Sequence, residues 1–312
     1  MPLFLFRGES IKRKVILHGP STLTISLPSK WAKAHNIRKG DELNVDEAGD
    51  FLKIYSGNER LLSKKTSVDF SGMTQESMRS LIAVLHKAGY DEVEIMFENP
   101  DAVKVINDTI DSMLIGYEVI EQKNNICVVR NVSGDHISEL DVLVRRAFLV
   151  TLSLANNSLE EIKKRRIDKL EELLVLEKTN NKLTNYCHRL INKKPYKDEK
   201  TNFTYVILWI FESICDDYRD LIKFLIKKPH LAISEQILAL YSEINNLLQS
   251  YYALFYGYTS EKMTKMRKDI ILLRETFLKL KISDHEKVIF YYLLSIINRM
   301  NDSLGSTSGL NC

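Results

Sequence analysis

The sequence predicts a multidomain α+β protein with a short strand-rich N-terminal module, a small α/β middle domain and a C-terminal six-helix bundle. Three observations carry this. Short strand-like runs, with alternation clearest at Leu23–Leu27, reach to about residue 56. Strand-like and helix-like runs then take turns to about residue 130, and from about Glu139 onward the apolar period is helical. Net charge shifts near the same boundaries: residues 1–65 hold 12 Lys/Arg against 7 Asp/Glu, 66–130 hold 5 against 11, and 131–312 hold 27 against 23. The expected domains are 8–58, 64–132 and 138–304, followed by a disordered Gly/Ser tail at 305–312.

In the first module, Lys12 to Leu17 reads as a strand, Gly19-Pro20-Ser21 as a turn, and Leu23 to Leu27 as a half-buried strand. Pro28 suits the first turn of a helix, where its missing N–H is not needed. A short helix is expected from Ser29 to about His35, with Trp31 and Ala34 inward. Arg38-Lys39-Gly40-Asp41 is a turn, and Glu42–Val45 and Phe51–Ile54 are two strands about a turn at Gly49-Asp50. In the middle segment, Ser67–Phe70 is a strand and Thr74 begins a helix that stops at Gly89. Val93–Phe97 is a strand, and Pro100 opens a helix to about Met113. Tyr117–Ile120 and Ile126–Val129 form a hairpin about Asn124-Asn125. The order β-α-β-α-β-β defines a small layered domain. Six helices follow, at about 139–160, 163–193, 199–227, 230–257, 260–281 and 284–304, with short connections that suggest two three-helix units.

Composition narrows the functional classes. Of 312 residues, 45% are hydrophobic and 27% charged, which is ordinary for a globular protein. Cys127, Cys187, Cys215 and Cys312 form no C-x-x-C pair, so neither a zinc knuckle nor a disulfide framework is implied. The seven histidines show no metal-ligand spacing. No P-loop or G-x-G-x-x-G occurs. The N-terminus lacks the order of a signal peptide, and no run approaches the ~18 apolar residues of a membrane span. A cytoplasmic protein with reduced thiols and no membrane insertion is expected. The aromatic run from Tyr251 to Tyr258 reads as core and interface rather than a stacking surface.

Residues about 10–56 carry a recognisable combination: Arg13-Lys14-Val15, Leu27-Pro28-Ser29-Lys30-Trp31-Ala32, then Ile37-Arg38-Lys39-Gly40-Asp41-Glu42-Leu43. This stretch resembles the AbrB/SpoVT family in its version fused to helical regulators. The resemblance implies a swapped-hairpin β-barrel formed by two chains, with basic residues that grip DNA. It points to Lys12, Arg13 and Lys14, with Lys30, Lys33 and Arg38 behind them. A dimer would carry about twice the charge of one module, so DNA binding should weaken steeply with salt. The competing reading makes Lys12–Lys14 a charged strand edge that guards against aggregation.

On the third long helix, Glu212, Asp216 and Asp220 recur every four residues, opposite the apolar set Ile207, Ile210, Phe211, Ile214, Tyr218, Leu221 and Leu225. That spacing brings neighbouring carboxylates close enough to share a hard cation. On the sixth helix Asn298 and Asp302 repeat the interval, 86 residues later in each case. The competing reading is a solvated helix face neutralised in part by Arg219.

Here the chain resembles the PhoU family of phosphate-signalling regulators, over about residues 139–304. Phe211-Glu212-Ser213-Ile214-Cys215-Asp216 matches that family's metal-holding step. Ile297-Asn298-Arg299-Met300-Asn301-Asp302 departs from it by an asparagine, and an Asp-x-x-x-Asp step on the second helix is lost because Lys164 precedes Asp168. The resemblance implies a PhoU-like bundle of two three-helix repeats, a divalent cation (Mg, Mn or Fe) on its acidic face, and a phosphate transporter component or its signalling kinase as partner.

The expectation is a non-enzymatic, homodimeric, DNA-binding regulator of phosphate-responsive signalling. The alternative is an interaction protein whose N-terminal module only dimerises. A metal-dependent hydrolase would need an open metal position and a base, and neither a nearby histidine nor a second close acid cluster is visible.

Overall fold

The computed structural model describes residues 11–48, 51–56, 64–193 and 199–312. They fall into two compact units, Met1–Leu62 and Ser63–Cys312.

In the first unit, β1 (Ile16–His18) pairs antiparallel with β2 (Thr22–Thr24), helix α1 spans Ser29–Ala34, and β3 (Leu43–Ala48) pairs antiparallel with β4 (Phe51–Ser56). Gly19, at φ +71°, makes the first turn; Gly49-Asp50, expected to make the second, lies outside the described residues. Among the described residues the strands form two separate ribbons and close no barrel in the single chain. Each ribbon satisfies its hydrogen bonds along one edge only, and an isolated two-stranded ribbon is marginal in water. No described side chain of this unit is buried: Leu17 is 62% exposed and Leu23 68%. Ala34, expected inward, is exposed, and Trp31 is half-buried beside the His35 ring.

The second unit begins with β5 (Lys65–Asp69), α2 (Gln75–Lys87), β6 (Glu92–Met96), α3 (Asp101–Met113), β7 (Tyr117–Lys123) and β8 (Ile126–Asn131). This is the β-α-β-α-β-β order read from the sequence. The sheet runs β5-β6-β8-β7, with β5 parallel to β6 and the remaining pairs antiparallel. Thr74 caps α2 by accepting the Ser77 N–H, and Asn124 tolerates the positive φ that the two-residue hairpin turn requires. One core gathers Phe70, Ile82, Ile95, Ile106, Cys127 and Val129.

Six helices follow: α4 (Leu140–Lys163), α5 (Leu170–Lys193), α6 (Glu199–Ile226), α7 (Glu235–Tyr256), α8 (Ser260–Lys279) and α9 (Lys287–Gly309). Helices α4, α5 and α6 pack together, as do α7, α8 and α9; the sets join through α6 against α9 and α4 against α7. The six helices expected are present, but two separate three-helix units are not resolved, because α6 packs against α9 as extensively as α4 packs against α5. Phe148, Phe211 and Tyr251 cluster in the shared core. Helix α5 begins several residues later than the periodicity suggests, because Arg165 adopts φ +56° and ends the preceding helix.

The tail departs from expectation. Helix α9 continues to Gly309 in place of a disordered segment from residue 305. Thr307 is buried and shares a 2.9 Å hydrogen bond with the Tyr251 hydroxyl. At Gly309 an added Cβ would lie 2.5 Å from the Phe203 ring, so the missing side chain lets the last turn seat on α6.

Middle layer and bundle form one compact unit although each has its own apolar core. Helix α5 joins them through polar side chains. Asn185 donates to the Met113 carbonyl at the end of α3 (2.9 Å), and Asn192 to the Lys87 carbonyl at the end of α2 (2.8 Å). Arg189, fully buried, donates to the Tyr90 carbonyl (2.5 Å), to Asp91 (2.5 Å) and to Asp135 (2.8 Å). Lys193 reaches the same two carboxylates. Both helix C-termini therefore meet donors for their orphan carbonyls, and that of α2 also meets the positive charge of Arg189.

Candidate nucleic-acid interface and acidic helix face

Lys12, Arg13 and Lys14 occupy the extended segment that enters β1, and all three are exposed. Lys30 and Lys33 stand three residues apart on α1, on one side of its short cylinder. Arg38 follows, its backbone N–H donating to Asp41 Oδ2 at 2.7 Å, which leaves its side chain outside that turn. Among the described residues none of these six cations enters an ion pair or a side-chain hydrogen bond, and all are exposed. Free, solvated cations of this kind suit a phosphate backbone, whose counterions they would displace. Beside them an open apolar groove of about 500 Å³ is lined by Ile11, Leu27, Pro28, Trp31, Leu52 and Ile54.

In the bundle, Glu212, Asp216 and Asp220 do share one face of α6. That face is only partly solvated, however, because α5 covers part of it. Arg219 sits among the acids and donates to Asp216, to Asp220 (2.8 Å) and to Glu177 of α5 (3.0 Å). Glu177 is buried and also accepts from Asn181 at 2.6 Å. Burial pushes the Glu212 carboxyl up, and it pushes Asp216 up to about 6; the neighbouring acids add to the shift at Asp216 and Arg219 opposes it. The acidic ladder thus already holds a cation, the guanidinium. Among the described residues no group of three or more His, Cys, Asp or Glu side chains is arranged to hold a metal ion.

The second interval resolves differently. Asn298 accepts from Arg274 of α8 at 2.6 Å, while Asp302 is exposed one turn further on. Between the two, Arg299 turns towards α6 and donates to buried Asp217 at 2.5 Å, with Ser295 donating to the same carboxylate at 2.8 Å. Asp217 and Glu177 escape the four-residue interval. The only hint of them is their position beside the ladder, in the Asp216-Asp217 pair, and in the Glu177 to Asn181 spacing on α5.

In the middle layer a crevice of about 320 Å³ opens at the carboxyl ends of β5 and β6. Phe70, Ser71, Phe97, Asn99 and Asp101 line it, so its rim is polar and in part acidic.

Residues 18–61 match the family model for MazE, the antidote-toxin recognition domain of bacterial antitoxins. The match bears out an N-terminal domain of the AbrB type and takes in Lys30, Lys33 and Arg38, but begins after Lys12–Lys14. No curated protein and no solved structure matches the chain. The comparisons lend no support to the phosphate-signalling resemblance of the bundle. Among the described residues no helix is long and apolar enough to cross a membrane.

Proposed function

We propose that the chain is a dimeric DNA-binding regulator, in which the first unit pairs with a second copy and grips the phosphate backbone while the bundle receives a signal. The observation that carries this reading is a unit with six exposed cations that have no ion-pair partner among the described residues, and with no buried described side chain. Apolar residues such as Leu17 and Leu23 gain burial when another copy covers them, and pairing brings two sets of cations together. The match to an AbrB-type domain supports the same reading.

A titration of mixed duplex DNA at increasing salt tests it. The logarithm of the association constant should fall linearly with the logarithm of salt concentration. Replacing Lys12, Arg13 and Lys14 together by Gln should flatten that slope by about three for each copy that contacts DNA. Binding that is absent at low ionic strength, or indifferent to salt, overturns the proposal.

A second reading rests on the groove beside Trp31. The matched family is described by recognition of a toxin protein, and an apolar groove of about 500 Å³ suits a protein segment better than DNA. Under it, a Trp31→Ala variant loses partner capture while DNA binding persists.

In the bundle, we take Arg219 to supply the charge that a divalent cation would otherwise bring. A phosphate transporter component or signalling kinase as partner is left without support by the comparisons.

A further inference from the structure

The crevice of about 320 Å³ in the middle layer has an apolar floor and an acidic rim. Phe70, Met78, Phe97, Ala102 and Val105 form the floor, and all five belong to the buried core. Ser71, Glu98, Asn99 and Asp101 form the rim and are exposed. No lysine, arginine or histidine is among the described lining residues, and among the described residues neither Glu98 nor Asp101 has an ion-pair partner. The hollow lies at the small end of ligand pockets, which begin at about 300 Å³. It opens where the parallel strands β5 and β6 end, between the loops that enter α2 and α3, and the carboxyl ends of parallel strands are where open α/β sheets take their ligands.

We propose that this crevice binds a small organic amine with an apolar body. The floor takes the body, whose burial drives binding, and Glu98 and Asp101 hold the ammonium group. Acids near a helix start also complement its dipole, so charge alone marks no site; the apolar hollow beside these two does. An anion has less to gain here, because both helix starts already have caps. Asn99 Oδ1 accepts the Asp101 N–H at 2.9 Å, and Thr74 Oγ1 accepts the Ser77 N–H at 3.2 Å. A metal ion is poorly served, since among the described residues no three His, Cys, Asp or Glu side chains are arranged to hold one. An organic cation meets both the floor and the rim. The site lies wholly within the second unit and does not depend on the proposed dimer or its DNA contact.

The test uses the full chain, isotope-labelled for NMR, and three probes of one skeleton: phenethylamine, 2-phenylethanol and 3-phenylpropanoate. Each is titrated while the backbone amide signals of Ser71, Gly72 and Asn99 are followed. Phenethylamine is expected to shift these signals saturably, with a dissociation constant at least about threefold below that of the alcohol, the scale of one or two exposed ion pairs. The carboxylate should bind more weakly than either. Raising the salt concentration should narrow the lead of the amine over the alcohol. Glu98→Gln combined with Asp101→Asn, both at exposed positions, should erase that lead and leave binding of the alcohol in place. No saturable shift at these amides with any probe, an amine no tighter than the alcohol, or a lead that survives the double substitution overturns the proposal.

Discussion

At the scale of single residues, the second unit is organised around buried charges that find partners from distant parts of the chain. Arg189 is enclosed with Asp91, Asp135 and Lys193. Burial alone would raise the Asp135 carboxyl, but hydrogen bonds from Arg189 and Lys193 outweigh it and hold the group below its usual range. Truncating one member strands the other in a dry seam, so Arg189→Met should cost about 3 kcal/mol or more of unfolding free energy. Urea denaturation of the two proteins checks this, and a loss under about 1 kcal/mol would mean that the seam is wet. Arg219→Met should likewise destabilise, by about 2 kcal/mol, since Glu177 then lacks its cation. If added Mn²⁺ restored that variant to wild-type stability, the ladder would be a metal site after all. The buried histidines give a pH dependence. Carbonyls only accept, so His86 and His188 must carry their protons on Nε2 to bond Ile115 and Tyr205. Burial depresses His86 to about 3 and His188 to about 4. Below pH about 6.5 the unfolded chain binds protons that the folded one refuses, so stability is complete above that pH and falls as the pH drops towards 4. The expected loss approaches ~1.4 kcal/mol per pH unit for each histidine. Urea midpoints at pH 7 and 5 should converge when both are replaced by Gln.

At the scale of elements, caps and clips define where helices begin and end. Glu286, buried ahead of α9, accepts the N–H of Ser283 in its own turn and the N–H of Ser234, the N-cap of α7. Burial raises its carboxyl, yet the hydrogen bonds from Ser283 and Ser234 outweigh it and bring it down to about 2. This is a depressed carboxylate, so its contribution is present above pH about 4.5 and lost as the pH falls towards 2. Glu286→Gln should remove a part of stability on the order of 1–3 kcal/mol at pH 7 and almost none near pH 2. Amide exchange at the first turns of α7 and α9 should report the loss first. Hairpin β7–β8 was legible from Asn124-Asn125 because few residues accept positive φ, whereas the left-handed Arg165 between α4 and α5 had no such signal.

At the scale of the whole molecule, one unit has cores of its own and the other, among its described residues, has none. Each unit holds one of the two tryptophans, Trp31 in the first and Trp209 in the second. Trp31→Phe and Trp209→Phe variants can therefore follow the units separately. The midpoint reported by Trp31 should rise with protein concentration, as it must for a fold completed by a second copy. A midpoint that ignores concentration would show that the first unit folds alone. The middle layer and bundle should unfold together in a single transition, because the Arg189 seam cannot open without exposing its charges.

Period and punctuation are local properties, and what they encode was readable from the sequence. The β-α-β-α-β-β order and the six helices follow from apolar spacing and breaks at glycine and proline. The ladder of Glu212, Asp216 and Asp220 was also readable as a face of α6. Only the tertiary structure decided what that face meets: Arg219 from its own helix and Glu177 from the next. It also joined the middle layer to the bundle through Arg189 and Asp91, 98 positions apart, and ordered the tail where Gly309 meets Phe203. Each of these depends on one side chain opposite another from a distant segment, and a single pairing leaves no periodic trace along the chain.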